Sequence, residues 1–194
     1  MDVFYKKEFP SLLKAAILKE VRGYNPVSSP TPNCVNADNF NLNELFIEWD
    51  WTNGTPHNIS ALEKAINLAL RHKHCSMKLI FKTISQALKW GVDFVLTRRS
   101  REARQFCNFV ISVREELRNA KMNIKFIRTN NALIGHYLFS HNISDLLQSF
   151  YQKRFPNKRI IITPTEIPTQ SISLKPPHQN PFSLSSPISL KSFF

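Results

Sequence analysis

Apolar residues recur at spacings of three and four through most of the chain as far as residue 155, which is the period of an amphipathic helix. The first such segment begins near Pro10, a residue common in the first helical turn, and stops at Gly23. A second follows Ser60, which forms a capping box with Glu63. Both segments are therefore predicted to be helices.

The same spacing continues through the middle of the chain. It predicts a third helix over 77–91 and a fourth that begins after Ser100, a typical N-cap residue, and ends near Lys121. Two further helical segments are predicted over 133–138 and 143–151.

Only a few stretches resemble strands, namely 92–96, 124–127 and 160–163, and the segment 45–51 fits a short strand and a short helix equally well. Residues 24–43, which are rich in Pro and Asn, are predicted to form a loop. The balance predicts a mostly α-helical fold, a compact domain of five to six helices over residues 1–155.

The composition changes after residue 155. Ser, Thr and Pro dominate there, six prolines lie between 164 and 187, and the apolar residues show no period. Such a segment cannot offset its ordering entropy with a packed core, so a disordered basic tail is predicted over 156–194. The run 160–162 is the exception, because three isoleucines could add a strand to a sheet edge or to a partner.

The net charge of the chain indicates the kind of partner that it binds. The 194 residues contain 26 Lys and Arg against 14 Asp and Glu, a formal net charge of +12. The surplus is local: residues 98–128 carry nine basic and three acidic side chains, and the chain from Lys153 onward carries six basic and one acidic. Nucleic acid and anionic membrane surfaces are the partners that such a surplus indicates.

The basic residues of the first block are the candidate nucleic-acid-binding residues, because arginine binds phosphate oxygens bidentately and stacks on bases. They are Arg98, Arg99, Arg101, Arg104, Arg114, Arg118, Lys121, Lys125 and Arg128.

On a helical wheel, Arg104, Arg114 and Arg118 of the fourth helix share an arc beside its apolar face, and Cys107 and Ile111 interrupt that arc. The alternative interpretation is a solvated helix face on which Glu115 and Glu116 pair locally with the arginines. The second basic block, Lys153 to Arg159, favours the binding interpretation.

The cysteines predict neither a disulfide framework nor a metal centre. Cys34, Cys75 and Cys107 are far apart in sequence, which suits a reducing compartment such as the cytoplasm. His72 and His74 precede Cys75 and could supply metal ligands, but a structural zinc site needs four ligands and no second ligand cluster exists in the sequence. No bound metal is therefore predicted.

Enzymatic motifs are absent from the sequence. The four glycines are isolated, so the chain contains no P-loop and no dinucleotide fingerprint, and it also lacks a G-x-S-x-G nucleophile motif. Glu115 and Glu116 are adjacent, so their carboxylates point in different directions and do not suit an acid–base pair. We therefore predict a non-enzymatic protein without a cofactor, although catalytic triads need not be local in sequence.

Aromatic residues offer a second mode of nucleic-acid contact. Trp49 and Trp51, with Phe46 before them, could stack on unpaired bases. The neighbouring carboxylates of Glu48 and Asp50 repel phosphate, so we interpret these aromatics as anchors of a core or of a protein contact.

One segment resembles a known family. The motifs are Phe109-x-Ile111-Ser112, Leu117-Arg118, Lys121-Met122 and Asn131-Ala132-Leu133. Together they resemble a stretch of the C accessory proteins of morbilliviruses, which are small, basic, largely helical modulators of viral RNA synthesis and host defence. The resemblance implies a small viral accessory protein.

Two functional hypotheses follow. The first is a non-enzymatic helical protein that binds nucleic acid, RNA in preference to DNA, through the 98–128 block with weak sequence preference. The second is a protein that contacts host or viral proteins, in which Arg98-Arg99-Ser-Arg101 and the 153–159 clusters act as nuclear localisation signals. Both are compatible with a homo-oligomer.

A third hypothesis is membrane attachment by the first helix, whose apolar face is bordered by Lys6, Lys7, Lys14 and Lys19. The other predicted helices need packing partners, so packing on the core is the preferred fate of this helix and a membrane is not an expected partner. No apolar run in the sequence is long enough to predict a transmembrane helix.

Overall fold

The structure is a computed structural model that describes residues 1–49 and 56–164. Within these ranges the chain forms seven α-helices and two three-stranded sheets. The helices are α1 (Phe9–Arg22), α2 (Leu42–Trp49), α3 (Pro56–Ala69), α4 (Met77–Trp90), α5 (Val92–Leu96), α6 (Arg101–Asn123) and α7 (Ser144–Arg154). The strands are β1 (Asp2–Phe4), β2 (Asn25–Val27), β3 (Cys34–Asn36), β4 (Lys125–Arg128), β5 (Ala132–Tyr137) and β6 (Arg159–Pro164). The prediction of a mostly helical fold is confirmed, and the structure adds two small sheets to the helices.

The first sheet is built around β1 and the crossover helix α1. Its order is β2-β1-β3, and both neighbours of β1 run parallel to it. Helix α1 buries Leu12 and Ile17 completely. It ends at Gly23, whose φ of 66° suits glycine and whose N–H donates to the carbonyl of Lys19 at 3.1 Å. The prediction that this amphipathic helix packs on the core is confirmed.

The predicted loop 24–43 is more regular than its composition indicated. It contains β2, β3 and a 3-10 turn at Ala37–Asn39. Proline lacks a backbone N–H, and Pro26 fits in β2 because β2 is an edge strand, where the absent N–H removes no hydrogen bond between strands. The pairing partner β1 lies far away in sequence, so no local pattern reveals these strands.

The other helix predictions are largely confirmed. Helix α4 matches the segment 77–91, α7 matches 143–151, and α6 begins after Ser100, whose Oγ accepts a hydrogen bond from the N–H of Ala103 at 3.0 Å. The ambiguous segment 45–51 is helical as far as Trp49, and its last two residues lie outside the described part of the chain.

The capping box is wrong. Helix α3 begins at Pro56, so Ser60 lies one turn inside the helix and cannot cap it.

The strand predicted over 92–96 is also wrong, because these residues form the short helix α5. Val92 and Val95 are buried at a spacing of three, and the hydroxyl of Thr97 donates to the carbonyl of Asp93 at 2.6 Å. A segment of five residues is too short for its apolar spacing to distinguish a strand from a buried helical turn.

The helix predicted over 133–138 is instead the central strand β5 of the second sheet, whose order is β4-β5-β6. It pairs antiparallel with β4 and parallel with β6. Gly135 in its middle allows close packing, since a β-carbon there would lie 2.8 Å from Cδ1 of Ile124. Leu133 and Tyr137 are four residues apart, a spacing that is also typical of a helix. The segment forms a strand because it pairs with β4 and β6.

The strand-like run 160–162 is confirmed as part of β6, in which Ile160 and Ile162 are buried. The described structure therefore continues beyond the predicted boundary at 155 as far as Pro164. The remainder of the predicted tail, 165–194, lies outside the described residues.

Helix α6 connects two hydrophobic cores. Its N-terminal half buries Phe106 and Val110 in a first core formed mainly by α1, α3 and α4. Its C-terminal half buries Val113 and Ala120 in a second core formed with α7 and β6. The orientation of α6 is thus fixed on one face along its whole length, and this determines which of its residues face solvent.

We expect Phe106→Ala to destabilise the whole chain by about 3–5 kcal/mol, because it removes a fully buried aromatic ring and leaves a cavity under α6. Urea unfolding followed by circular dichroism measures this loss. As a control, Ile127→Ala removes a side chain that is 60% exposed and should change stability by less than about 0.5 kcal/mol. Equal effects of the two changes would show that α6 does not hold the cores together.

Candidate nucleic-acid interface

The nine candidate residues lie at the surface and lack acidic partners. Eight of them are exposed and Lys121 is half-buried. Within the part of the chain that the structure describes, none of the nine forms an ion pair, whereas cations elsewhere do. The positive charge of this block is therefore not balanced by neighbouring carboxylates.

The acids of α6 have other contacts or none. Glu102 pairs with Lys82 of α4 at 3.2 Å. Glu116 accepts a hydrogen bond from the N–H of Ser140 at 2.6 Å, and Glu115 forms no ion pair with the described residues. Among the described residues, neither Glu115 nor Glu116 forms an ion pair with an arginine, which does not support the alternative of local neutralisation.

The arginines of α6 divide between two places. Arg114 lines a cavity between α3 and α6, which we call the α3–α6 cavity, and Arg98 from the turn before α6 lines it too. Arg101 lies in a separate cleft with Lys78 and Lys82 of α4. We use the name α6 basic face for Arg98, Arg104, Arg114 and Arg118, the last three of which share one arc of the helix.

The α3–α6 cavity measures about 400 Å³ and receives a third cation, Lys64 of α3. Its apolar wall includes the thiol of Cys107, which donates weakly to the carbonyl of Val95 at 3.5 Å. Burial raises the pKa of that thiol, and the guanidinium groups of Arg98 and Arg114 oppose the rise in part. Both guanidinium groups therefore act on the electrostatics of the cavity.

The far end of α6 leads to the second sheet. Lys121 lies over the ring of Phe150 with Nζ 4.2 Å from the ring centroid, which fixes part of its side chain against α7. Lys125 and Arg128 continue the basic surface on β4, an edge strand.

The second sheet brings the two basic blocks of the sequence together. Arg128 of β4 stands opposite Leu133, and Arg159 of β6 stands opposite Ala132. The two arginines are therefore at the same end of the sheet, with their backbones separated by one strand and by about 10 Å, and their side chains project from opposite faces because Leu133 and Ala132 are adjacent in β5. Lys158 lies beside them, with Nζ 3.5 Å from the carbonyl oxygen of Asn130. We call Arg128, Lys158 and Arg159 the sheet-end cluster.

The aromatic residues of α2 have a structural role. The indole N–H of Trp49 donates to the carbonyl of Leu88 at 3.3 Å, and the ring packs against the first core. The interpretation of Trp49 as a core anchor is confirmed. Trp51 lies outside the described residues.

The histidines form a cluster between the two cores rather than a metal centre. His72 stacks on Phe109 with ring centroids 4.0 Å apart, and its ring centroid lies 4.3 Å from that of His141. Over residues 1–49 and 56–164, the structure shows no group of three or more His, Cys, Asp or Glu side chains placed to hold a metal ion. Burial raises the pKa of Cys75 to about 11, so its thiol stays protonated at neutral pH.

Ser112, His141 and Glu116 meet within this cluster, an arrangement that no sequence motif revealed. Oγ of Ser112 lies 2.9 Å from Nε2 of His141, and Oε2 of Glu116 lies 3.7 Å from the same nitrogen. A catalytic triad needs the acid on the opposite ring nitrogen. Nδ1 of His141 is buried and has no hydrogen-bond partner among the described residues, so the three groups do not form a triad.

Sequence reasoning missed Lys64 and the proximity of the two basic blocks. Lys64 belongs to a helix without a local charge surplus, so no composition signal identifies it. The closeness of Arg128 and Arg159 depends on the pairing of β5 with both neighbours, which the helix prediction for 133–138 concealed.

One protein family matches the chain. The model of a family described as a domain of unknown function, DUF4130, matches residues 75–180, which is more than half of the chain and includes all nine candidate residues. Searches of the curated proteins and of the solved structures gave no significant match. The resemblance of the 109–133 segment to viral C proteins stays a prediction.

We expect the stability of the protein to fall as the pH drops below about 6.5, the usual pKa of histidine. Burial lowers the pKa of His72, and the positive charges of His141, His74 and Lys73 lower it further, while Glu116 opposes them. As the pH falls, His72 is therefore protonated in the unfolded chain at a higher pH than in the folded chain. The contribution of neutral His72 to stability is complete above its unfolded pKa and is lost as the pH falls toward its folded pKa.

His72→Phe should keep the stacking on Phe109 and remove this titration. Melting temperatures measured at pH 7.5 and pH 5.5 provide the test, and the variant should lose less stability between the two than the parent chain. An equal loss in both chains would show that His72 does not cause the pH dependence.

Proposed function

We propose that this chain, which belongs to the DUF4130 family of unknown function, is a non-enzymatic nucleic-acid-binding protein. Its binding surface is the α6 basic face together with the sheet-end cluster. RNA is favoured over DNA because the 109–133 segment resembles modulators of viral RNA synthesis. The cytoplasm is the proposed location, since three unpaired cysteines suit a reducing compartment.

The observation that supports this proposal is the unbalanced charge of the basic block. Nine cations stand against three acids over residues 98–128, and none of the nine pairs with a carboxylate among the described residues. Cations crowded on one surface repel each other, and a polyanion relieves this repulsion while releasing its own counterions. A surface salt bridge would have removed this driving force.

The shape of the surface is suited to contact with the phosphate backbone of nucleic acid rather than with particular bases. Helix α6 has 23 residues and so extends about 34 Å, the length of about ten base pairs of duplex. Three of its arginines share one arc of the helix, and the basic surface continues onto β4, an edge strand. Contacts of this kind fix position and carry little sequence information, so we expect weak sequence preference.

The competing hypothesis is a protein-binding role in which the basic segments serve nuclear import. Arg98, Arg99 and Arg101 are exposed and would be accessible to a receptor. The two hypotheses differ in whether purified protein binds nucleic acid without any other component, which is what the following experiment measures.

Neutralising the four arginines of the α6 basic face, R98Q, R104Q, R114Q and R118Q together, should weaken binding to every sequence alike. Each phosphate contact contributes about 0.7 to the slope of log K against log salt on single strands and about 0.9 on duplex DNA, so the slope should become shallower by about 3. Filter binding of a single-stranded RNA and of a duplex of mixed sequence, each over a series of salt concentrations, measures this change.

The matched control removes four exposed cations elsewhere, K7Q, K19Q, K73Q and K78Q, and so produces the same change in net charge. Its slope should stay close to that of the parent chain. A quadruple arginine variant that binds like the control would contradict the proposed surface. A parent chain that binds neither nucleic acid would favour the protein-binding hypothesis.

A further inference from the structure

The α3–α6 cavity has two chemically different parts. Its lining includes three cations, Lys64 from α3, Arg98 from the turn after α5, and Arg114 from α6. Its wall is apolar and includes Ala61, Leu96 and Ile111. The volume of about 400 Å³ falls in the range of small-ligand sites, about 300–1,000 Å³.

The backbone holds Arg98 in an uncommon conformation. Its φ is 61°, in the left-handed region that residues with a β-carbon rarely adopt, and among the described residues it is the only non-glycine residue with a positive φ. Hydrogen bonds on both sides maintain this turn, from the N–H of Arg98 to Val95 at 3.0 Å and from the N–H of Arg99 to Phe94 at 3.2 Å. These two bonds form a Schellman motif, which ends α5 with Arg98 in the left-handed position and so fixes the backbone of Arg98 beside the cavity.

The three cations need an anion between them. None of the three forms an ion pair with the described residues, although they come from three separate elements and line one cavity. Like charges beside a low-dielectric wall repel each other strongly. A doubly charged phosphate matches three cations better than a single carboxylate does, and Arg98 and Arg114 can each bind it bidentately.

The apolar wall excludes a bare ion as the full occupant. Cys107 and Ile111 interrupt the basic arc of α6, and both line the cavity beside Arg114. An inorganic ion would leave this apolar surface in water, whereas a ligand with a ring next to its phosphate would cover it. The lining therefore indicates an amphiphilic anion with one phosphate and one flat apolar group.

We infer that the α3–α6 cavity binds a single nucleotide unit, with its phosphate at Lys64, Arg98 and Arg114 and its base against Ala61, Leu96 and Ile111. The unit is either a free nucleoside monophosphate or one unstacked nucleotide of a single strand. Binding of a nucleotide within a strand rests on the proposed function, whereas binding of a free nucleoside monophosphate does not.

Isothermal titration of the full chain with adenosine monophosphate tests the inference, with adenosine and inorganic phosphate as separate probes. The monophosphate should bind, and each fragment should bind at least about tenfold more weakly because it meets only half of the site. Lys64→Gln should weaken the binding of the monophosphate by about tenfold, whereas Lys78→Gln, which removes a charge outside the cavity, should leave it unchanged.

Ala61→Trp fills the cavity without changing the charge. Ala61 is exposed on α3, so the indole does not enter the core, and an unchanged melting temperature will verify this. The variant should lose the monophosphate and keep the salt slope for long nucleic acid. Monophosphate binding that survives in Ala61→Trp, or inorganic phosphate that binds as tightly as the monophosphate, overturns the inference.

The same titrations separate this inference from the proposed function. A chain that binds single-stranded RNA with its full salt slope but does not bind the monophosphate contradicts the cavity site alone. If a short single-stranded oligonucleotide displaces the bound monophosphate, the nucleotide of a strand is the source. If it binds without displacing the monophosphate, the free nucleotide is the source.

Discussion

The packing of one face of α6 into two cores is the constraint on which the rest of the structure depends. Phe106 is fully buried in the first core and Val113 in the second, so the helix cannot rotate without exposing one of them. With that face buried, the arc of Arg104, Arg114 and Arg118 must lie beside α3 or face solvent. Hydrophobic burial thus sets the position of the charges, and the charges themselves contribute little to the stability of the fold.

The positions of the charges support the proposed function because none of these arginines forms an ion pair with a carboxylate among the described residues. Glu102 and Glu116, which belong to the same helix, instead contact Lys82 and the N–H of Ser140. In the sequence, the apolar residues Cys107 and Ile111 interrupt the basic arc. In the fold both line a cavity that three cations also line, so the interruption supplies apolar surface to one proposed site.

The sequence predicts well those features that depend on neighbours along the chain. Amphipathic spacing and a serine cap identify α4 and α6 almost to their ends, and the charge count finds all the exposed cations of the block. Features that depend on distant pairing are not predictable in this way. The segment 132–137 becomes a strand only because β4 and β6 flank it, and Lys64 reaches the cavity only through the packing of α3 on α6. Short apolar runs such as 92–96 are ambiguous for the separate reason that five residues contain too little periodicity.

The central claim is that nucleic acid contacts the α6 basic face and the sheet-end cluster. Chemical modification of arginine side chains, located by mass spectrometry with and without a single-stranded RNA, tests it most directly. The account predicts that RNA protects Arg104, Arg114, Arg118 and Arg128, while Arg22, which belongs to α1 and is paired with Glu48 of α2, reacts equally in both samples. Equal protection of Arg22 and of the α6 arginines, or no protection of the latter, would contradict it.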